Sequence, residues 1–350
     1  MSSFYKLAIK EIKKETSQAV SILFQIPEEL KDKYQFVAGQ YVTLKLTLDG
    51  QEIRRAYSIC SSPKSGELRI AVKAIKNGFF SKFANEDLKV GSLLDVSMPE
   101  GKFVLEPKFE AQKNYVAFVA GSGITPVMSM LQTVLNEEPN STFVLVYGNK
   151  NLDETLFYNQ LHELQLQHVG RLFVHYAFSR VHAENQLFGR IDKSAVNFIL
   201  KNKHAEKQFS KYFLCGPEQM IDSVKASLKE HNVSEKDIKF ELFTAPISKN
   251  DIQITHEGNT IITVLVDSEE VTFQMSPKLT LLEAALKQGI DAPYSCQGGI
   301  CSSCIAKITS GTATMKKNSI LTDKEIEEGL ILTCQAHPIS ADIFVDYDDV

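Results

Sequence analysis

The 350-residue chain has no stretch that approaches the ~20 apolar residues of a membrane-spanning helix. Its most apolar window, residues 116–135, is broken by Gly121, Gly123 and Pro126. The N-terminal segment Met1 to Lys10 lacks the apolar centre of a secretory signal and reads as a strand, so the expected compartment is the cytoplasm. Cysteines stay reduced there, and a clustered set then points to metal binding or catalysis rather than disulfides. Excess basic charge is missing too: a formal net charge of -5 and a pI near 6.0 exclude a nucleic-acid binder that relies on general basicity. The eight histidines form no H-E-x-x-H or other ligand pair, and His175 and His337 read as ordinary. No internal repeat or low-complexity segment is present. What is there, 43% hydrophobic and 23% charged residues, can build cores without disulfide staples, and the length suggests two or three domains.

The modest net charge conceals an asymmetry. Residues 257–350 carry 14 acidic and 6 basic residues, a net of -8, and the remainder carries +3. The break coincides with the polar stretch after Thr244, which reads as a linker at 246–256 before an acidic C-terminal module. Residues 1–110 read as short strands and turns: 36–48, 68–73 and 93–98 are rich in β-formers, and Asp49-Gly50 marks a hairpin. That spacing favours an antiparallel barrel. Residues 111–245 alternate strand and helix, with strands at 115–120, 142–147, 172–178 and 211–215 and helices at 126–136 and 153–167. Such alternation is the sign of a doubly wound parallel sheet.

Three of the six cysteines crowd into Cys296-Gln-Gly-Gly-Ile-Cys301-Ser-Ser-Cys304, and Cys334 follows. The pattern C-x4-C-x2-C…C is the plant-type [2Fe–2S] spacing: each iron takes two thiolates, a wrapping loop supplies three and a distant strand the fourth. Gly298 and Gly299 let backbone approach, so that N–H groups reach the sulfurs. A structural zinc site or inert core thiols are the plain alternatives, but zinc usually takes two C-x2-C knuckles and only Cys301 and Cys304 form one.

In the barrel half, Arg55-Ala-Tyr57-Ser58 combines a cation suited to pyrophosphate, a ring that can stack and a hydroxyl that can reach a ring nitrogen. Asn77-Gly78-Phe-Phe-Ser81 adds a glycine turn able to hold phosphate. Gly121-Ser-Gly123-Ile-Thr125-Pro126 follows a strand and opens a helix, as does Cys215-Gly-Pro-Glu-Gln-Met220. Each has a bland reading: surface charge, packing glycines, or small buried thiols at Cys215 and Cys60. Ser179-Arg180, with Lys150, could hold a 2′-phosphate, and no acidic residue stands beside them to favour a free ribose hydroxyl.

Residues 257–350, with Ala292-Pro-Tyr-Ser-Cys296 and Ile331-Leu-Thr-Cys334-Gln-Ala-His-Pro, resemble a plant-type ferredoxin domain, which implies a β-grasp fold and one-electron transfer. Taken in order, the motifs up to Glu241-Leu-Phe243 resemble the ferredoxin–NADP reductase superfamily. The combination resembles the reductase components of oxygenases, and most of all the reductase subunits of phenylacetyl-CoA epoxidases; Thr322 to Cys334 strengthens that match. The resemblance implies FAD on Arg55, Tyr57 and Ser58, with Gly78 and Ser81 at its phosphates. It implies the nicotinamide nucleotide on Gly121, Gly123 and Thr125, with 2′-phosphate contacts at Ser179 and Arg180. Cys215 is then expected near the nicotinamide, Phe243 over the flavin, and Cys296, Cys301, Cys304 and Cys334 on the cluster. NADPH is the favoured donor and NADH the alternative, since Lys150 stands where relatives more often show arginine. The implied partner is a di-iron oxygenase. Ring- or steroid-hydroxylating oxygenases and fatty-acyl desaturases remain alternatives, as does a non-enzymatic redox or zinc-binding module.

Overall fold

The structure, a computed structural model, describes residues 4–48, 51–75, 78–184, 186–243 and 259–350. The expected Asp49-Gly50 turn, Asn77 and the linker at 246–256 lie outside the described residues.

The first sheet contains β1 (Phe4–Thr16), β2 (Ala19–Gln25), β3 (Tyr41–Leu48), β4 (Gln51–Ser58), β5 (Leu68–Lys73) and β6 (Leu93–Ser97), in the order β4-β3-β6-β1-β2-β5. Alternate residues such as Leu7 and Ile9, Ile22 and Phe24, Ile70 and Val72 face one buried core, as the period of two requires. The two ends of this ladder meet just past β4, where Ile59 bridges Ile70 and the Cys60 N–H donates to the Arg69 carbonyl at 2.8 Å. The sheet thereby closes into a barrel. The strand expected from residue 36 starts only at Tyr41. Gly39 takes φ +101°, and a Cβ there would stand 2.1 Å from the Phe103 carbonyl oxygen, so the backbone turns before the ladder begins.

After α1 (Phe79–Glu86) and β6, the chain forms β7 (Asn114–Ala120), α2 (Ile124–Glu137), β8 (Thr142–Asn149), α3 (Tyr158–Gln167), β9 (Leu172–Phe178), β10 (Leu187–Phe188), α4 (Lys193–Asn197), β11 (Phe209–Gly216), α5 (Glu218–Glu230) and β12 (Ile238–Leu242). These strands make one parallel sheet, β10-β9-β8-β7-β11-β12. Val116 to Val119 and Phe143 to Tyr147 are buried without alternation, because both faces of the sheet are covered. The helix expected from Asp153 starts at Tyr158. Asn151 diverts the chain, its Oδ1 accepting from the Glu154 N–H at 3.0 Å and its carbonyl accepting from the Thr155 hydroxyl at 2.9 Å. Helix α2 is tied to the barrel: Ser129 Oγ donates to the Ser61 carbonyl at 2.6 Å and Gln132 Nε2 to that of Cys60 at 3.1 Å. Residues 5–53 and 57–243, which hold the parallel sheet and most of the barrel, form one compact unit.

The C-terminal unit contains β13 (Thr260–Val266), β14 (Glu269–Met275), α6 (Leu281–Lys287), β15 (Ile305–Ser310), β16 (Ala313–Met315), α7 (Asp323–Glu327), β17 (Leu330–Leu332), β18 (Ala336–Pro338) and β19 (Asp342–Asp346). A five-stranded sheet, β14-β13-β19-β15-β17, wraps α6, with β16 and β18 paired separately. Thr280 and Glu283 open α6 with a capping box, and Leu281, Leu282 and Ala285 pack with Ile262, Val264, Ile343 and Val345. This is a β-grasp arrangement. Among the described residues, no helix is long and apolar enough to cross a membrane.

Candidate active site and metal centre

Strands β7 and β11 are neighbours at the point where strand order reverses, the place where open α/β sheets bind ligands. The Gly121–Gly123 turn leaves β7 and the Cys215-Gly-Pro turn leaves β11. A Cβ at Gly123 would stand 2.3 Å from the Cys215 carbonyl oxygen, so glycine alone lets the two turns touch. Gly121 takes φ +56°, with open space where a Cβ would point. The Thr125 hydroxyl donates to the Ser122 carbonyl at 3.0 Å and fixes the turn that opens α2.

Cys215 is fully buried, and it pairs in register with Glu241 on β12. Burial, and then the Glu241 carboxylate, push its thiol well above the ordinary range, so it is a neutral apolar wall. Ser58, buried at the end of β4, donates its hydroxyl to Glu241 Oε2 at 3.2 Å. Removal from water drives the Glu241 carboxyl up to about 8, against the opposing effect of the Ser58 hydrogen bond. Ser58, Cys215 and Glu241 thus share one place. The first two are expected site residues; Glu241 stands in the sequence only as part of a terminal motif, with no role attached. Phe243, just past β12, packs on the core shared by barrel and parallel sheet.

Arg55 is exposed near the end of β4, its Nη1 donating to the Arg54 carbonyl at 2.7 Å. The half-buried Tyr57 ring stands 5.4 Å from Phe80. Gly78 precedes α1, and a Cβ there would lie 2.3 Å from Ser81 Oγ, which accepts from the Ile75 N–H at 3.2 Å and donates to the Gly78 carbonyl at 3.3 Å. A glycine and a hydroxyl at a helix N-terminus are groups that suit a dinucleotide phosphate. Cys60 is core: its thiol is pushed up to about 12 by burial and donates to the Arg69 carbonyl at 3.3 Å.

At the outer end of the same sheet edge, the Ser179 and Arg180 N–H groups donate at 3.0 Å to the carbonyls of Asn149 and Lys150. Both polar atoms of the Asn149 amide are buried without a partner, which suits a ligand that supplies one. The expectation that no acidic residue stands here is corrected. The turn at Asn151 brings Glu154 back to within 2.9 Å of Lys150 Nζ, and Lys73 Nζ lies 3.3 Å from the same oxygen. The Lys150 hydrogen bond is the main cause that lowers the Glu154 carboxyl below its usual range. His175 shares a 2.8 Å contact between Nε2 atoms with buried His204, and His337 Nδ1 lies 3.2 Å from the Pro277 carbonyl oxygen.

In the C-terminal unit, Cys296, Cys301 and Cys304 lie on the loop between α6 and β15, and Cys334 lies between β17 and β18. Thr333 binds the Cys304 carbonyl through its N–H at 3.1 Å and its hydroxyl at 3.0 Å, joining the two ligand segments. The Gly298 N–H donates to Cys296 Sγ at 3.3 Å. Gln297 and Gly299 take left-handed φ of 52° and 70°, which curls the loop around its own sulfurs. Cys301, Cys304 and Cys334 are buried and Cys296 is half-buried, so the four sulfurs sit largely out of water. Among the described residues, no three His, Cys, Asp or Glu side chains converge on a single ion. Four thiols around a curled loop, with amide hydrogen directed at sulfur, fit a two-iron cluster.

Three family models match the chain: an oxidoreductase FAD-binding domain at residues 6–105, an oxidoreductase NAD-binding domain at 118–226 and a 2Fe-2S iron-sulfur cluster binding domain at 264–338. The chain is 36% identical over 353 residues to a subunit of 1,2-phenylacetyl-CoA epoxidase from Escherichia coli (strain K12), covering 99% of each. It is 30% identical to the ferredoxin reductase component of 3-ketosteroid-9-alpha-monooxygenase from Rhodococcus rhodochrous, covering 97% of this chain and 96% of the relative. Among solved structures, phthalate dioxygenase reductase superposes with a TM-score of 0.62 over 98% of both chains at 24% identity, a likeness of fold.

Proposed function

The chain belongs to the oxygenase reductase components of the ferredoxin–NADP reductase superfamily, and we propose that the oxygenase it serves is a phenylacetyl-CoA epoxidase. It is an NAD(P)H-dependent electron-transfer oxidoreductase with FAD and a [2Fe–2S] cluster. The observation that supports the epoxidase is the 36% identity, end to end, with a subunit of that enzyme, against 30% for the ketosteroid reductase. The proposed division puts FAD in residues 1–110, the nucleotide in 111–245 and the cluster in 257–350, with a linker at 246–256. The proposed compartment is the cytoplasm, where the four thiols stay reduced.

When bound, the nicotinamide supplies two electrons as a hydride, the flavin divides them, and the cluster carries them singly. The chain's residues position and screen that chemistry. In this reading Arg55 neutralises the flavin pyrophosphate, Gly78 and Ser81 present the α1 N-terminus to it, and Tyr57 flanks the ring. Ser58 Oγ, held by the 3.2 Å bond to Glu241, would meet the reacting edge of the ring, and Glu241 keeps its own proton up to about pH 8. The neutral Cys215 thiol and the Phe243 ring exclude water from that place. Gly121, Gly123 and Thr125 form the turn that receives the nicotinamide nucleotide, and Ser179 and Arg180 bind its far end. Cys296, Cys301, Cys304 and Cys334 hold the irons.

Anaerobic titration tests the first part: NADPH should bleach both flavin and cluster bands, and NADH should require higher concentration. Mixing the reduced protein with a di-iron epoxidase, phenylacetyl-CoA and oxygen tests the second. Rapid cluster reoxidation coupled to epoxide formation is expected; coupling only with a steroid or ring-hydroxylating oxygenase would overturn the epoxidase assignment.

A further inference from the structure

Gln335 follows the fourth cysteine, and its side chain turns back toward the cysteine loop. Its Nε2 lies 3.1 Å from the Gln297 carbonyl oxygen, 3.0 Å from the Cys334 carbonyl oxygen and 3.8 Å from Cys334 Sγ. All three are acceptors, so the amide can face them only with its NH2 group, and the neighbours fix its orientation. The residue is also held by its backbone, whose N–H donates to the Leu332 carbonyl at 2.8 Å and whose carbonyl accepts from the Lys316 N–H at 2.9 Å.

The loop makes room for this side chain. Gly299 takes φ +70°, and a Cβ there would lie 2.9 Å from Gln335 Cγ and 3.0 Å from the Lys317 carbonyl oxygen. Gln297, whose carbonyl receives the amide, is itself left-handed at φ 52°. Two left-handed positions of the loop that carries three ligands are therefore shaped around one side chain from the segment that carries the fourth. Loop and segment are joined at this point by a removable amide.

We propose that Gln335 is a positioning residue that clamps Cys334 to the three-cysteine loop and, by directing an N–H at the Cys334 sulfur, raises the reduction potential of the cluster. The proposal rests on the reading of the four cysteines as [2Fe–2S] ligands. A donor at a ligand sulfur stabilises the more negative, reduced form, so the sign is set by electrostatics. The Gly298 N–H at Cys296 acts the same way but belongs to the backbone, whereas the Gln335 amide is a contact that a substitution can remove.

The test uses the full-length holoprotein and anaerobic spectroelectrochemistry. Gln335→Met keeps an unbranched stem without a donor, and Gln335→Glu keeps the shape but replaces the donor with a negative oxygen. Both should retain iron and an unchanged flavin potential. The Gln335→Met cluster should be about tenfold harder to reduce relative to wild type, a fall of about 59 mV for one electron, and Gln335→Glu should fall further. A cluster potential equal to wild type in both variants would overturn the proposal. If Gln335→Met sheds iron, Gln335→Leu, of similar bulk and likewise without a donor, should restore iron content but not potential; recovery of both would equally overturn the proposal. A wild-type protein without iron–sulfur bands would instead overturn the ligand reading beneath it.

Discussion

Glu241→Gln isolates one buried proton. The substitution keeps the shape of the side chain and its ability to accept from Ser58, and removes only ionisation. In the folded protein the carboxyl is pushed up to about 8 from an ordinary 4.5. Between those values the folded chain keeps a proton that the unfolded chain has released, so stability falls as pH rises through that window. At about 1.36 kcal/mol for each tenfold difference, the ceiling on this loss is ~5 kcal/mol. Part of the Glu241 surface remains open to water, which screens the charge and reduces the expected loss to about 2–3 kcal/mol. At pH 5 the two proteins should therefore unfold together, and at pH 9 Glu241→Gln should be the more stable by about 2–3 kcal/mol. Urea unfolding at fixed FAD concentration reads this through flavin release, and the chain has no tryptophan to interfere with flavin emission. Infrared titration supplies a second reading: a carboxylic acid band that disappears near pH 8 in wild type and is absent from the variant. Stability curves that run parallel from pH 5 to 9 would refute the reasoning.

Gly123→Ala should force the two ligand-facing turns apart, because its Cβ would meet the Cys215 carbonyl oxygen at 2.3 Å and carbon at 2.6 Å, neither able to yield as a flexible side chain would. The expected cost is about 1–3 kcal/mol in stability. Stopped-flow flavin reduction by NADPH should slow about 100-fold, as a misplacement near 1 Å would produce, while chemical reduction of the flavin stays normal. Arg180→Ala should raise the KM for NADPH about tenfold, the loss of one charge-assisted contact, and leave NADH unchanged; steady-state kinetics with both donors separates the cases. Equal effects on the two would remove Arg180 from phosphate recognition.

The sequence alone carries the expectations where chemistry is local. Four cysteines at a ligand spacing, and glycines between a strand and a helix, are constrained by coordination number and by backbone geometry over a few residues. The alternation that closes the barrel and the unbroken apolar runs of the parallel sheet are likewise local consequences of which faces are covered. The helix that starts at Tyr158 rather than Asp153 shows the limit even there, since Asn151 competes for backbone groups through its side chain.

What depended on the tertiary structure was every property set by proximity across the chain. Ser58 and Glu241 are 183 residues apart and meet only because the barrel end packs beside β12. Glu154 was invisible as a neighbour of the phosphate-binding candidates until the turn folded it back onto Lys150 and the barrel supplied Lys73. Gln335 reads in sequence as one more polar residue after a cysteine, and only the curled loop shows its amide facing three acceptors. Residue types and spacing determine which atoms can bind iron or phosphate. Desolvation and contact distance, which exist only after folding, decide which proton is held at neutral pH and which donor reaches a ligand sulfur.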